Sequence, residues 1–181
     1  MRIITGSAKG KRLITPDGRD VRPTPDRVKE GIFSALQFEL EGRRVLDLFA
    51  GSGQLGIEAL SRGAQSAVFV DSLASSVKIV RKNLEISGFE DKARVYQGDY
   101  SSFTAVTNDR FDIAFLDPPY ASGLLEPALN AVAKVMSDYG VIVCEHPLEV
   151  ELPEAVEDFK AVRRYRYGKV YVTCYRKEET A

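Results

Sequence analysis

The part of the chain that follows Gly42 alternates short apolar runs with segments in which apolar residues recur at helical spacing. The apolar runs are 45–48, 67–70, 93–96, 113–116 and 141–144. The helical segments include 55–62, 75–87 and about 127–138, each followed by a predicted C-cap glycine, at Gly63, Gly88 and Gly140. Strands that alternate with helices of this length predict a mostly parallel sheet with helices on both faces.

The C-terminal end of the chain departs from this alternation. Two β-rich runs, 159–167 and 170–175, are separated only by Gly168-Lys169. So short a connection predicts an antiparallel hairpin, which brings the predicted sheet to seven strands and makes it mixed.

The N-terminal end also departs from the alternation. The first 22 residues have little apolar content and predict a small β-hairpin. A helix is then predicted from Thr24-Pro25 to Gly42. We therefore expect two parts: a basic hairpin extension over 1–22 and one α/β domain over 23–181.

Length and composition exclude several classes of protein. A chain of 181 residues makes one domain of ordinary size. Cys144 and Cys174 form no C-x-x-C motif, and His146 is the only histidine, so no metal site is expected and His146 is interpreted as structural. No apolar run is long enough for a signal peptide or a membrane span. We expect a cytoplasmic protein, monomeric, with no metal and no membrane partner.

A glycine loop joins the first apolar run to the next helical segment. Gly51, Gly53 and Gly56 have the spacing G-x-G-x-x-G, and Asp71 lies 20 residues after Gly51. This pattern is typical of a dinucleotide site, in which backbone N–H groups face an anion and an acid binds ribose hydroxyls. Asp47 favours a different ligand, because a carboxylate at this strand end repels a pyrophosphate and attracts an ammonium group. S-adenosylmethionine carries both a ribose and an ammonium group, so we predict it as the ligand.

A second motif, Asp117-Pro118-Pro119-Tyr120, follows the fourth apolar run, where ligands bind in open α/β sheets. It suits the methylation of an exocyclic amine, whose lone pair is delocalised into the base. The Asp117 carboxylate and the Pro118 carbonyl can accept the two amine hydrogens, while Tyr120 stacks on the base. The two prolines fix the backbone of the loop. The motif therefore predicts an amine held at about 3–3.5 Å from a sulfonium methyl group.

Five stretches of the chain carry a resemblance to a known family. They are 22–30 (RPTPDRVKE), 47–53 (DLFAGSG), 56–64 (GIEALSRGA), 117–120 (DPPY) and 167–169 (YGK). On these stretches the chain resembles, over essentially its whole length, the bacterial 16S rRNA (guanine-N2)-methyltransferases of the RsmD type. The resemblance implies a class I, Rossmann-like methyltransferase fold and S-adenosylmethionine as the methyl donor. The implied substrate is a guanine amino group in 16S rRNA, on an assembled or assembling small ribosomal subunit.

The resemblance also implies roles for individual residues. The methionine part of the cofactor is expected at Asp47, Ala50, Gly51, Ser52 and Gly53. The ribose is expected at Asp71 and Ser72, and the adenine at Gly98, Asp99 and Tyr100, with Asp99 accepting from its amino group. The catalytic residues are expected to be Asp117, Pro118, Pro119 and Tyr120. The chain departs from many relatives in having Ser72-Leu73 where they have an acid two residues after the ribose acid.

The net charge of −1 conceals a segregation of charge along the chain. Residues 1–22 carry six basic and two acidic side chains, and residues 160–177 carry seven basic and no acidic ones. Phosphate contacts would position an RNA substrate on such a surface. The predicted RNA-binding residues are Arg2, Lys9, Lys11, Arg12, Arg22, Thr24 and Arg27. For the C-terminal run two interpretations remain open, RNA contact or protection of an edge strand from pairing.

Three functions are compatible with these features. The first is N2-methylation of a guanine in 16S rRNA. The second is N6-methylation of adenine in RNA or DNA, because the motif at Asp117 suits any exocyclic amine. The third is a non-catalytic rRNA-binding assembly factor with the same fold, which the presence of Asp47, Asp71 and Asp117 disfavours.

Overall fold

The computed structural model describes residues 1–17 and 24–178, and that part of the chain contains five α-helices and eight strands. The helices are α1 (Asp26–Ala35), α2 (Gln54–Ser61), α3 (Ala74–Ser87), α4 (Tyr100–Val106) and α5 (Leu125–Ala133). The strands are β1 (Arg44–Leu48), β2 (Ser66–Asp71), β3 (Ala93–Gln97), β4 (Phe111–Leu116), β5 (Met136–Pro147), β6 (Ala155–Val156), β7 (Phe159–Tyr167) and β8 (Val170–Lys177). None of these helices combines the length and the hydropathy needed to span a bilayer.

The described strands form one mixed sheet in the order β3-β2-β1-β4-β5-β8-β7-β6. Strands β1 to β5 are mutually parallel, whereas β8 runs antiparallel to β5, and β7 and β6 follow as antiparallel neighbours. The predicted parallel α/β sheet with a C-terminal antiparallel hairpin is confirmed. The sheet has eight strands instead of the predicted seven, because the two residues of β6 pair with Phe159 and Lys160 at the start of β7.

The segment before β5 differs from the sequence prediction. Helix α5 ends at Ala133, although helical spacing predicted a helix over about 127–138. The following residues join the sheet, and Met136 pairs with Phe111 at the start of β4. Gly140 therefore lies inside β5, and its predicted role as a helix C-cap is wrong.

The other predicted helix ends agree in part with the structure. Gly63 and Gly88 follow α2 and α3 in left-handed backbone, with φ of 105° and 80°, as predicted. Helix α1 was predicted to extend to Gly42 but ends seven residues earlier, at Ala35. Residues 36–38 continue as turns that still bury Leu36.

Helices cover both faces of the sheet and fix the positions of its strand ends. On one face, side chains of α1, α2 and α3 pack on the sheet around Phe69 and Phe115. On the other face, α4 and α5 pack around Leu46 and Ile142. Each layer buries aromatic and branched aliphatic side chains that stabilise the fold by their removal from water.

Residues 1–17 turn back through one antiparallel bridge, between Arg2 and Arg12, and pack against the sheet domain. Ile3, Ala8 and Leu13 are buried in the same core cluster as α1, α2 and α3. A segment whose composition suggested an outlying basic hairpin therefore has its apolar side anchored in the core.

Glu58 of α2 ties the N-terminal segment to the domain through its fully buried carboxylate. The backbone N–H groups of Ile4 and Thr5 donate to its two oxygens at 2.9 and 3.0 Å. Its charge is balanced by Lys29, with Nζ at 3.6 Å, and by Arg62, whose Nε donates at 2.9 Å. Buried charges require such partners, so these contacts hold the segment in one place.

Candidate active site at the carboxyl ends of the parallel strands

The loops that carry the predicted cofactor and catalytic residues meet at one edge of the sheet. Strand β1 lies between β2 and β4, with Leu48 paired to Val70 on one side and to Leu116 on the other. After β1 the chain continues to β2 on one side, and after β4 it continues to β5 on the other side. The loops after β1 and β4 therefore flank a crevice. The parallel pairing of β1 with β4 therefore brings Asp47 and Asp117 to the same crevice.

The loop after β1 turns sharply in left-handed backbone. Phe49, Gly51 and Gly53 have φ of 63°, 58° and 78°, and the Gly53 N–H donates to the Ala50 carbonyl at 2.7 Å. No atom lies within 4 Å of the position that a Cβ would occupy at Gly51. The backbone is therefore open to a ligand just before the N-terminus of α2, which favours negative charge.

Ser52 in this loop is braced by the N-terminal segment and by α3. The amide of Asn83 donates to the Ser52 carbonyl at 2.9 Å and also bonds the backbone of Ile14, with its oxygen 2.7 Å from the Ile14 N–H. The Ser52 hydroxyl lies 3.7 Å from the sulfur of Met1. The position of the loop is thus fixed by contacts with α3 and with the N-terminal segment, both distant in sequence.

Asp47 lies next to the end of β1 with only 3% of its surface exposed. Its Oδ2 accepts a hydrogen bond from the backbone N–H of Gly56 at 2.9 Å. Burial raises the pKa of Asp47 to about 7, an effect that the Gly56 bond opposes and the charge of Asp71 reinforces. A cation beside this carboxylate would favour its ionised form.

Asp71 ends β2 and is oriented by two backbone donors. Its Oδ2 accepts from the Gly51 N–H and its Oδ1 from the Leu73 N–H, both at 2.9 Å. Its own carbonyl accepts from the Gly98 N–H at 3.0 Å. Ser72 is exposed beside it. The Gly51 N–H is thereby engaged by Asp71, which holds the glycine loop and the end of β2 together.

Asp99 has a structural task that the sequence did not reveal. It is the N-cap of α4, where its Oδ1 accepts from the Ser102 N–H at 2.8 Å and from the Ser101 hydroxyl at 2.7 Å. These bonds hold the pKa of Asp99 below its usual value. Beside it, the ring of Tyr100 lies 5.8 Å from that of Phe49, between centroids. This aromatic pair adds Phe49, which the motif analysis missed, to the candidate cofactor end.

The residues present fit S-adenosylmethionine. Within residues 1–17 and 24–178 the buried carboxylate of Asp47 has no ion pair, the loop backbone at Gly51 is open, and Asp71 is oriented at the next strand end. Among the described residues, no cluster of three or more His, Cys, Asp or Glu side chains is arranged to hold a metal ion.

Asp117 meets side chains from two distant parts of the chain. The hydroxyl of Thr24, just before α1, lies 3.2 Å from Asp117 Oδ2 and 3.3 Å from Glu145 Oε2. The hydroxyl of Tyr120 donates to Glu145 Oε1 at 2.9 Å. Burial holds the pKa of Asp117 well above its usual range, and the nearby charge of Glu145 adds to the rise.

Glu145 is the residue of this site that motif analysis missed. It lies on β5 with 5% of its surface exposed, among apolar neighbours such as Val143 and Cys144. Burial raises the pKa of Glu145, while its bonds from Tyr120 and Thr24 oppose the rise. The one available signal was an acidic residue at the end of an otherwise apolar strand, since buried carboxylates are rare without a specific role.

The two prolines and Tyr120 differ in their exposure. Pro118 is buried, whereas Pro119 is exposed and the Tyr120 side chain is 38% exposed despite its bonded hydroxyl. The Tyr120 ring therefore borders the opening of the crevice, where it can meet a base. His146, in contrast, is buried with both ring nitrogens engaged, Nε2 with the Thr173 hydroxyl at 2.8 Å and Nδ1 with the Pro147 carbonyl at 3.1 Å.

The predicted RNA-binding residues fall into three groups. Exposed basic residues on and near the N-terminal segment are Arg2, Lys9, Lys11, Arg12 and Arg27. Arg2 lies 4.0 Å from Asp26, and Lys11 donates to the Ser87 carbonyl at 3.3 Å. Thr24 lies inside the crevice, 5% exposed, where it contacts Asp117. Arg22 lies outside the described residues, as does the predicted boundary between the hairpin and the domain.

Known proteins match nearly the whole length of the chain. A family model described as "Conserved hypothetical protein 95" matches residues 1–176. "Putative rRNA methyltransferase YlbH" of Bacillus subtilis is 42% identical over 182 residues, covering 98% of this chain and 99% of that protein. "Ribosomal RNA small subunit methyltransferase D" of Escherichia coli K12 is 35% identical over 180 residues, covering 98% of this chain and 90% of that protein.

The fold agrees with the sequence match. The solved structure described as "Putative methyltransferase yhhF from Escherichia coli" has a TM-score of 0.87 and 36% identity, covering 98% of both chains. A methyltransferase fold therefore surrounds the crevice that contains Asp47 and Asp117. The chain belongs to the RsmD family, the family of ribosomal RNA small subunit methyltransferase D.

Proposed function

We propose that this protein transfers a methyl group from S-adenosylmethionine to the exocyclic N2 amine of a guanine in 16S rRNA. The observation that carries the proposal is the position of Asp117, a carboxylate at the carboxyl end of β4, across the crevice from the glycine loop of β1. The names of relatives at 35% and 42% identity support ribosomal RNA, of the small subunit in one of them, as the substrate.

The roles of the residues at the cofactor end follow from the chemistry of their donors and acceptors. Bound S-adenosylmethionine supplies an electrophilic methyl group on a positively charged sulfur. Asp47 would hold its ammonium group, and the loop from Ala50 to Gly53 would face its carboxylate. Asp71 would accept from the ribose hydroxyls. Gly98, Asp99 and Tyr100 would border the adenine, with Phe49 packed against Tyr100.

The substrate end provides acceptors for the amine. The Asp117 carboxylate and the Pro118 carbonyl would accept the two hydrogens of N2, which turns the nitrogen lone pair toward the methyl group. The partly exposed ring of Tyr120 would stack on the base. After transfer, the surplus proton leaves through Asp117. A guanine must be unpaired or flipped out to reach these groups, and we propose that an assembled or assembling small subunit in the cytoplasm presents it so.

The N-terminal segment extends from the glycine loop at the crevice to the far ends of α2 and α3, where Ser7 bonds the Ser61 carbonyl and Lys11 bonds the Ser87 carbonyl, and we propose that RNA contacts the segment along this length. Its buried side anchors Ile3 and Leu13 in the core, while its exposed side carries Lys9, Lys11 and Arg12. Met1, the first residue of the segment, contacts the glycine loop, with its sulfur 3.7 Å from the Ser52 hydroxyl. Phosphate contacts by these basic residues would position the RNA, while the pocket at Tyr120 would read the base.

Six of the seven basic residues in the C-terminal run fall into two groups that the structure distinguishes. Far from the crevice, the basic side chains are neutralised: Arg176 donates twice to Glu39, at 2.8 and 2.6 Å, Lys177 pairs with Asp138 at 3.0 Å, and Lys160 pairs with Glu178. Near the turn between β7 and β8, Arg164, Arg166 and Lys169 are exposed. Within residues 1–17 and 24–178, none of these three has a carboxylate partner.

The register of the hairpin places its unpaired group at the crevice end of the sheet. Val170, just after the turn, pairs with Pro147 at the carboxyl end of β5. Arg164 also covers the ring of Tyr171, 5.4 Å from its centroid. We therefore extend the proposed RNA surface to this end of the hairpin, while the neutralised group at its other end stays outside the proposed surface.

The experiment that tests the proposed function identifies the methylated nucleoside. Small ribosomal subunits that lack the modification are incubated with the protein and S-adenosylmethionine labelled in its methyl group, and the rRNA is digested to nucleosides. Label in N2-methylguanosine supports the proposal. Label in N6-methyladenosine would support the adenine alternative instead, and no label in any nucleoside would support a non-catalytic assembly factor. Free 16S rRNA in parallel shows whether the subunit is required.

The proposed RNA surface is tested by the salt dependence of binding. Neutralising Lys9, Lys11 and Arg12 to Gln should weaken RNA binding and flatten the dependence of log Kd on log salt, by about 0.7–0.9 for each lost phosphate contact. A control of equal charge replaces three basic residues outside the proposed surface: Lys134, Lys160 and Lys177. Equal slopes for the two triple variants would remove the N-terminal segment from the RNA surface.

A further inference from the structure

Asp117 has a second carboxylate close to it, on a strand that no motif marked. The Thr24 hydroxyl lies between Asp117 Oδ2, at 3.2 Å, and Glu145 Oε2, at 3.3 Å. The other oxygen of Glu145 accepts from the Tyr120 hydroxyl at 2.9 Å. Asp117, Thr24, Glu145 and Tyr120 thus form one continuous chain of contacts at the substrate end of the crevice.

The number of hydrogens in this chain limits its protonation state. A threonine hydroxyl carries one hydrogen, so Thr24 can donate to only one of the two carboxylates. The other contact is a hydrogen bond only when that carboxyl group carries a proton and donates it to the Thr24 oxygen. Two ionised carboxylates would leave one contact without a hydrogen, and so the geometry is satisfied when Asp117 and Glu145 share a single proton.

The electrostatics of the site agree with this count. Burial raises the pKa of both Asp117 and Glu145, and their mutual repulsion raises it further at Asp117. Among the described residues, the titratable groups that face the pair are Asp47 from β1, whose charge also raises the pKa of Asp117, and Tyr120 from the loop after β4. In the part of the chain that the structure describes, neither carboxylate has a Lys or Arg ion-pair partner. Such coupled groups titrate as a pair.

We propose that Glu145 is a positioning residue for methyl transfer, which shares one proton with Asp117 through the hydroxyl of Thr24 and holds Tyr120 by its phenol. This inference rests on the proposed function, because it assigns Glu145 a task at the same reaction centre. The task has two parts: control of the charge on Asp117, and orientation of the ring that borders the base.

The shared proton gives Asp117 the state that the reaction needs. When Glu145 carries it, Glu145 donates to Thr24, and the Thr24 hydroxyl donates to Asp117, which is then ionised and can accept an amine hydrogen. As the new bond between nitrogen and the methyl carbon forms, the bond between that carbon and sulfur breaks and leaves its electron pair on sulfur. The nitrogen then loses a proton to Asp117. The pair now carries two protons, and one leaves to water.

Tyr120 receives its orientation from the same carboxylate. Its hydroxyl is held at Glu145, inside the crevice, while its ring is partly exposed at the opening. A side chain fixed at its far end keeps one orientation of the ring, which lowers the cost of ordering it when a base stacks on it.

Glu145→Gln separates charge from geometry. The amide oxygen still accepts from Tyr120 and the amide nitrogen can donate to Thr24, but the side chain no longer takes a proton or carries a charge. Without that neighbouring charge the pKa of Asp117 falls. We expect the acid limb of kcat against pH to shift to lower pH, by on the order of one unit. An exposed acid, Glu151→Gln, serves as the matched control with an unchanged profile.

Thr24→Val should shift the same limb in the opposite direction. Valine keeps the shape of threonine but removes the hydroxyl, which stabilises ionised Asp117. The pKa of Asp117 therefore rises, and the acid limb moves to higher pH. Shifts of opposite sign from two neighbouring substitutions are not expected from a general loss of folding. If the acid limb of kcat against pH is the same in both variants as in the unmodified protein, the inference is overturned.

A direct titration keeps the inference testable without RNA. Carbon-13 NMR of aspartate-labelled protein follows the Asp117 carboxyl carbon, identified by its loss in Asp117→Asn. We expect its midpoint to move to lower pH in Glu145→Gln and to higher pH in Thr24→Val. Unchanged midpoints overturn the shared proton even when the enzyme methylates rRNA. If the protein methylates no rRNA but both midpoints shift, the proposed function is overturned while the shared proton is supported.

Discussion

The two ends of the crevice each contain a carboxylate whose pKa burial raises, but they are supported in different ways. Asp47, at the cofactor end, accepts from a backbone N–H, that of Gly56, nine residues away in the chain. Asp117, at the substrate end, contacts the side chain of Thr24, which lies 93 residues away in sequence. The cofactor end is thus built largely from backbone and the substrate end largely from side chains.

The two ends therefore differ in how easily a substitution changes their chemistry. The donor to Asp47 is a backbone N–H, so this bond depends on the fold of the loop and on no functional side chain. The substrate end depends on the identities of Thr24, Glu145 and Tyr120, so a single substitution there can change the protonation state or the base that fits. The largest effect on the chemical step is therefore expected at the substrate end.

Asp117→Ala should cause the largest loss. It removes the acceptor for the amine hydrogen and for the departing proton, so we expect kcat to fall by about 10³-fold. The affinity for S-adenosylhomocysteine should stay within a few fold, because Asp47 and the glycine loop are untouched. Single-turnover methylation and calorimetric titration measure the two quantities. A large loss of cofactor affinity would mean that the two ends do not work separately.

Asp47→Asn should produce the opposite division. The amide oxygen can keep the bond from Gly56, but the charge that would attract the ammonium group is lost. We expect the affinity for S-adenosylhomocysteine to fall about 10- to 100-fold, the range for hydrogen bonds to charged groups. The kcat at saturating cofactor should change little. An equal fall of kcat would show that Asp47 contributes to the chemical step as well as to binding.

The pKa of Asp47 makes cofactor binding depend on pH. Its pKa is about 7 without a ligand, and a neighbouring ammonium group lowers it, so binding releases a proton below pH 7. Affinity for S-adenosylhomocysteine should therefore rise with pH up to about 7, by at most tenfold per unit. Above that pH the affinity should level off, because Asp47 is then ionised in the free protein as well. Asp47→Asn should lose the rising limb and serves as the control.

The sequence was informative where the site is local. Asp47, Gly51 and Gly53 form one contiguous stretch, and Asp117 and Tyr120 another, so their spacing alone indicated a strand end followed by a ligand loop. The neighbouring order of β1 and β4, which brings the two stretches together, followed from general rules for alternating strands and helices.

The sequence was uninformative where the site depends on tertiary contacts. The contact between Thr24 and Glu145 joins residues 121 positions apart, and nothing in their local patterns indicates it. Gly140 failed as a helix cap for a related reason: the pairing of Met136 with β4 overrides the local helical spacing. The burial of Ile3 was likewise decided by packing in the core cluster that it shares with α1, α2 and α3, since the composition of its segment is mostly polar.

Asp99 offers the smallest and finest test of the difference between the two ends. Its carboxylate caps α4 through Ser102 and Ser101, and it is also expected to accept from the adenine amino group. Asp99→Ala removes both contacts, whereas Asp99→Ser keeps a residue that caps helices well. We therefore expect a lower melting temperature for the alanine variant only.

The affinity of the serine variant then isolates the adenine contact. Because Asp99 is exposed, the bond is weakened by competition with water, and its loss should lower the affinity for S-adenosylhomocysteine only about threefold. An affinity equal to that of the unmodified protein would assign Asp99 to capping alone. The adenine would then be held by the backbone at Gly98 and the rings of Phe49 and Tyr100, which would make the cofactor end still less dependent on charged side chains than the substrate end.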